Sequence, residues 1–369
     1  MSNKLPEISK EDDRIVNDWW LKYKKMKNLY VIRDHLVRFM DNYPHLVENL
    51  SLHWFFLFNH GSALYKAGKY ELFVELLLRI RNEFPGVYVR NFGYYDSKLI
   101  FWYVAQGRID EISPFFDWFK IDKRGECMDQ LDSVANLLRS IDRSDVLYKE
   151  IAKDSNAYIF VDMKFNRFFS QYIEKPSTID NITALRNELL TNGIDDEWLV
   201  DEKNIAEKIR RVKRPFTTWE VNIPKKRSQI TDLYNRITDN FTYYLYLNTG
   251  ISFDCADYFS ETVLQYYEMI VSGDTRPKNI FCLDKKTFQE NLLQYTWSIV
   301  GDHIYYLSQL NAFYLFAEYL ETCGNMTAEQ KTAFQEIVTE TYQGYTERNE
   351  KPGPEMLSFK KFPLWDITD

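Results

Sequence analysis

Apolar side chains recur at three- and four-residue steps through most of this chain. Between residues 12 and 29 they fall at Ile15, Val16, Trp19, Trp20, Tyr23, Met26 and Leu29, and between 31 and 40 at Ile32, Leu36 and Phe39, with Pro44 closing the pair. Such steps put side chains on one face of an α-helix. Further helices of about three turns follow in pairs, separated by Gly, Pro, Asn or Asp. Alternation at period two is scarce: VYVRNF at 87–92 shows it, but in isolation it cannot make a sheet. The pattern predicts an all-α protein.

Residues 53–85 are the most informative stretch. Gly61 permits close helix approach, Gly68 and Lys69 end a first helix and turn the chain, Leu72, Leu76 and Ile80 mark a second helix, and Pro85 stops it. With Trp54, Leu57, Leu64, Tyr70, Phe73 and Leu77 at their positions, the stretch resembles a tetratricopeptide repeat, and Trp54 to Pro85 is close to that family's period. Phe73 and Ile80 depart from it, since the family prefers small residues there, and larger side chains push the helices apart. A second unit at 93–119 repeats the turn: Ala105-Gln106-Gly107-Arg108-Ile109 echoes Lys66-Ala67-Gly68-Lys69-Tyr70. A third has Leu131, Val134, Leu137 and Leu138 before a turn near Asp142, and a fourth spans 158–190. The resemblance implies an irregular α-α superhelix over 12–190, with a concave face that holds another protein or peptide. On that footing the partner-binding residues are Phe55, Asn59, Ser62 and Lys66 on the first helix of the 53–85 unit, with Lys98 and Tyr103 from the second.

Residues 191–227 interrupt the rhythm with an acidic piece, TNGIDDEW, and then basic ones around Trp219, and read as a charged linker. Beyond it, 228–350 read as a C-terminal helical bundle. Its most apolar helix runs from 303 to 323, which suggests a central position, and Thr327 with Gln330 forms a capping box before the last helix. The tail 351–369 carries three prolines and the apolar Phe359, Phe362, Leu364 and Trp365; it either packs back along the body or serves as a docking peptide.

Composition narrows the function classes. The 369 residues are 17% aromatic and carry a net charge of −8, which disfavours nucleic-acid binding by the surface as a whole. No secretory leader is visible in the first fourteen residues, and Cys127, Cys255, Cys282 and Cys323 make no CxxC pair, so free thiols in a reducing cytoplasm are expected. The most apolar stretch, 291–317, is broken by polar residues and predicts buried helices without a membrane span. P-loop, dinucleotide, nucleophile-elbow and HExxH motifs are absent, so no cofactor and no metal is expected.

Three clusters carry candidate chemistry. Asp254, Asp257 and Glu261 share a helical face and could hold a divalent cation with Glu290 or with Asp302 and His303 from facing helices, although a solvated face is the favoured reading. Asp302-His303, inside an apolar stretch, is the one lead toward an enzyme in the C-terminal domain, set against a simple helix start. Arg210, Arg211, Lys225 and Arg227 lie in the basic segment 208–227, where a nucleic-acid backbone could bind. The leading expectation is a protein- or peptide-binding scaffold without catalytic activity.

Overall fold

The helices begin where side chains can satisfy their free N–H groups. Ser9 Oγ accepts from Asp12 N at 3.1 Å while Ser9 N donates back to Asp12 Oδ2 at 3.3 Å. Asn28 Oδ1 takes the Tyr30 and Val31 amides, and the Asp196 and Asp201 carboxylates cap two successive helices. Thr327 and Gln330 form the reciprocal pair anticipated from their spacing, at 2.9 and 3.2 Å. A computed structural model describes residues 9–49, 59–121, 127–152, 158–214, 227–272, 285–286, 288–290, 292, 303–348 and 353–359. Among them no strand occurs, so the protein is all-α. VYVRNF, for all its alternation, is helical: Pro85–Tyr88 followed by a 3-10 turn at Val89–Asn91. No described helix is long and apolar enough to cross a membrane.

The chain divides into two compact units. The first comprises residues 1–130 with 351–357. It contains α1 (Lys10–Tyr23), α2 (Leu29–Asn42), α3 (Pro44–Asn49), α4 (Ser62–Lys66), α5 (Tyr70–Glu83), α6 (Pro85–Tyr88), α7 (Phe92–Ala105) and α8 (Asp117–Ile121). α5 packs against α4 and α7, burying Leu64, Phe73, Leu77, Ile80, Leu99 and Ile100. The bulky Phe73 and Ile80 thus sit in the core, where their volume sets the spacing between helices. Trp19 stacks on His35 with ring centroids 5.6 Å apart and meets Phe39 at 4.8 Å, which ties α1 to α2.

The second unit comprises residues 131–350 with 358–369. It holds nearly all of α9 (Met128–Ser140), then α10 (Ser144–Leu147), α11 (Tyr158–Ile173), α12 (Ile179–Thr191), α13 (Glu197–Val200), α14 (Glu202–Lys213), α15 (Arg227–Asn248), α16 (Phe253–Ser272), α17 (His303–Thr322) and α18 (Ala328–Arg348). A last short helix, α19 (Pro354–Phe359), begins within the first unit. α17 is buried along most of its length, and Phe313 and Phe316 meet Tyr266, Phe241 and Phe334 from α16, α15 and α18 edge-on. A second core joins Phe165, Phe169, Leu185 and Leu189 to Ile205, Ile209 and Val212. The last three belong to α14, within the stretch that the sequence presents as a charged linker. Its description runs to Arg214 and shows a helix with one buried stripe, which the surrounding charges obscure in the sequence.

One turn recurs at helix C-termini. Lys69 N donates to Leu64 O and Gly68 N to Tyr65 O; Arg108 N to Tyr103 O and Gly107 N to Val104 O. The same pair of bonds closes at Asp142, Gly193 and Gly324. This is the Schellman arrangement, which needs a left-handed residue after the helix. Gly68 and Gly107 adopt φ of 68° and 74°, and Asp142 adopts 56°. The echo between the first two units in sequence is therefore an echo in backbone conformation.

Two buried groups of the first unit oppose each other in pH. His60 is 1% exposed, and neither ring nitrogen has a hydrogen-bond partner among the described residues. Burial, reinforced by Arg33, lowers its pKa from 6.5 to about 4. The Asp96 side chain is fully buried, accepts from Tyr88 Oη at 2.7 Å and Arg81 Nε at 3.2 Å, and is raised by burial from 3.8 to about 7 against both donors. Folding disfavours charged His60, so stability is lost as pH falls from 6.5 to 4. Folding favours protonated Asp96, so stability is lost as pH rises from 4 to 7. Each effect amounts to about 3–4 kcal/mol over its window, and the two nearly cancel. Between pH 6.5 and 4.5, thermal unfolding followed by circular dichroism should show Asp96→Asn losing more stability on acidification than the wild type. His60→Leu should lose less.

Candidate functional site

Lys98 stands on α7 with Tyr94 a turn before it and Phe101 a turn after. Its Nζ lies 5.0 Å from the Tyr65 ring centroid, 5.2 Å from Phe101 and 5.8 Å from Tyr94. The negative faces of such rings attract a cation, more strongly as water is excluded. The Lys98 side chain is 17% exposed, and its ammonium meets Glu355 Oε1 at 3.8 Å; the Glu355 side chain is 9% exposed. The Tyr65 hydroxyl donates to the other oxygen, Glu355 Oε2. Burial first, and then the Glu355 charge, hold the Tyr65 phenol well above its ordinary pKa, so it remains a donor. Ser62 hydrogen-bonds the Tyr94 hydroxyl. The result is an aromatic cage holding one cation, filled by the carboxylate of a short segment far along the chain. Close approach shapes that segment as well: a Cβ on Gly353 would come within 2.8 Å of the Glu355 carboxylate.

Of the partner-binding residues expected from sequence, Lys98 and Ser62 come together here. Lys66 and Asn59 are exposed. Tyr103 shares α7 with Lys98, yet it packs edge-on against Phe115 at 5.1 Å and lies 4.3 Å beneath the Arg108 guanidinium. Phe55 lies outside the described residues. Sequence reasoning missed Tyr65, Tyr94, Phe101 and Glu355. The signal was present for two of them, since aromatic residues four before and three after a lysine share its helical face.

The second unit contains a different concentration of charge. Asp254, Asp257 and Glu261 do share one face of α16, but that face is not the solvated one favoured from sequence. It closes over Arg139, whose side chain is only 4% exposed and which lies 3.2 Å from Asp254, 3.9 Å from Asp257 and 3.7 Å from Glu261. The guanidinium also lies 5.0 Å from the Tyr258 ring centroid. Asn166 Nδ2 donates to Asp257 Oδ2 at 2.7 Å, and Lys208 Nζ lies 3.9 Å from Asp257 Oδ1. Arg211 Nε donates to Asp239 Oδ2 at 2.7 Å. Facing Lys208 and these carboxylates is a cavity of about 350 Å³, lined in part by Asp162, Lys208, Arg211, Asp239 and Glu261.

Carboxylates outnumber cations in this network, and burial opposes their charge. Desolvation raises Asp162 to about 6, with the Asp257 charge adding to it and Arg139 opposing. Desolvation likewise raises Glu261 to about 7, although its side chain is 44% exposed and water screens it. For Arg139, desolvation works against the charge, but the surrounding carboxylates prevail and hold it above its usual value. Among the described residues, no group of His, Cys, Asp and Glu has the geometry to hold a metal ion. The cluster is an ion-pair lattice that joins α9, α11, α14, α15 and α16.

The remaining candidates are dispersed. Asp302 and Lys225 lie outside the described residues, and nothing is described of the Arg227 side chain. His303 is half-buried at the start of α17, and its Nδ1 meets the Tyr345 hydroxyl. It does not line the cavity at Lys208. Arg210 is exposed, whereas Arg211 is engaged by Asp239 within the unit.

Removing Arg139 would leave three carboxylates facing each other without their shared cation. In urea unfolding, Arg139→Met should lose about 3–5 kcal/mol. The loss should shrink below pH 6 as Asp162 and Glu261 protonate, and Arg139→Lys should recover part of it. In comparisons with known proteins, no family model, no curated protein and no solved structure matches this chain.

Proposed function

We propose that the protein is a peptide-binding helical scaffold. Its first unit would offer a groove built from tetratricopeptide-like hairpins, arranged as an irregular superhelix. The observation that carries this reading is the enclosure of Lys98 by Tyr65, Tyr94 and Phe101 around a carboxylate on a short helical segment. An aromatic cage with one half-buried ammonium suits a peptide that presents a single acidic side chain. The cation and the Tyr65 hydroxyl give two charge-assisted contacts, and the rings exclude water from both. Anchors of this kind dominate binding energy in protein interfaces. The recurring left-handed turns at Gly68 and Gly107 further support stacked hairpins.

The test uses the full chain and nine-residue peptides whose central residue is Glu, Gln or Lys, flanked by Met and Leu, in isothermal titration. The Glu peptide should bind, the Gln peptide at least tenfold more weakly, and the Lys peptide not at all. Lys98→Met should erase the preference. Equal binding of all three peptides, or an unchanged order in Lys98→Met, would reject the proposal.

A further inference from the structure

We infer that residues 353–357 are a tethered ligand of the Lys98 groove, and that a partner with an acidic residue followed by apolar ones must displace them to bind. This rests on the peptide-binding reading above and adds the chemistry of the ligand and the regulation of access. Tyr65 and Glu355 are 290 positions apart in the chain, yet their side chains are joined by a hydrogen bond. The segment therefore reaches the groove as an added element and not as the next helix of a hairpin.

Its composition is that of a recognition motif. Pro352 precedes it and Gly353 and Pro354 open it, so it cannot continue α18 as a helix. α19 has six residues, too few to hold a helix in water by their own hydrogen bonds. Docking therefore supplies its order. Its buried side chains are Pro354, Glu355, which enters the cage, and Met356, which is 2% exposed. Leu64, Leu77, Leu99 and Ile100 are buried where α5 packs against α4 and α7.

A tethered segment competes at an effective concentration in the millimolar range. A partner of micromolar intrinsic affinity would then bind with its apparent affinity reduced by the fraction of time that the groove is open. Releasing the segment should restore that affinity. The same chemistry defines the partner: a short helix in another protein that carries a glutamate followed by methionine or leucine, preceded by proline or glycine.

The experiment uses a fluorescein-labelled peptide of residues 351–359 and anisotropy titrations with full-length wild type, Glu355→Gln and Gly353→Ala. Gly353→Ala moves the Glu355 carboxylate without altering the groove, so it keeps the test valid if Glu355→Gln fails to fold. Both variants should bind the peptide at least tenfold more tightly than wild type. Adding Lys98→Met to Glu355→Gln should remove the gain, and a peptide with Gln in place of its Glu should not bind. Equal affinity of wild type and both variants, still dependent on Lys98, would overturn the tethered ligand and leave the peptide-binding reading standing. No binding to any of the three would overturn both. Concentration-dependent dimers of the wild type that vanish in Glu355→Gln would put a second copy's segment in the groove and overturn a heterologous partner.

Discussion

A charge withdrawn from water must meet an opposite charge or give up its own, and this constraint organises both units of the protein. In the first, Lys98 meets Glu355 inside three aromatic rings, and Asp96 takes two donors and still favours its proton. In the second, Arg139 is shared among three carboxylates of α16, and Lys208 and Arg211 complete the lattice. Such pairs add little net stability over an apolar core of the same shape, but a missing partner is costly. They therefore restrict the ways in which α9, α11, α14, α15 and α16 can pack, because any other register strands a charge.

The second organising element is the turn. A helix that ends in a left-handed residue satisfies its last carbonyls and reverses the chain in few residues. Glycine does this without strain at 68, 107, 193 and 324. Asp142 does it at a steric cost of roughly 1–2 kcal/mol. Its carboxylate Oδ1 accepts from Ser252 N at 3.1 Å, just before α16 begins. Ser252 Oγ in turn caps that helix by accepting from Cys255 N at 3.2 Å, so the strained turn holds the capping residue of the helix that carries the ion-pair face. Glycine at this position would relax the backbone and lose the hydrogen bond to Ser252 N.

Much of this was legible in the chain. The three- and four-residue rhythm gave the helices, Thr327 marked a start, and Gly68, Gly107 and Gly324 marked ends. The all-round apolar character of 303–322 anticipated the buried α17. Of the site, Lys98 and Ser62 were legible from the helix they occupy within a hairpin unit. Tyr65 and Glu355 were not, because nothing in the local sequence pairs residues so far apart. The carboxylates of α16 misled for a related reason: three acidic residues on one helical face look solvated until a buried arginine is found opposite them.

The amino-acid sequence by itself determined where helices start, stop and turn, since those choices depend on hydrogen bonds and side chains within a few residues of each other. Tertiary structure alone decided which charged faces lose their water. Burial is a property of whatever packs against a face, and that partner is chosen by the whole chain. The stripe Ile205, Ile209 and Val212 inside a charged stretch, and the carboxylate of Glu355 inside an aromatic cage, acquire their roles only when distant helices arrive beside them.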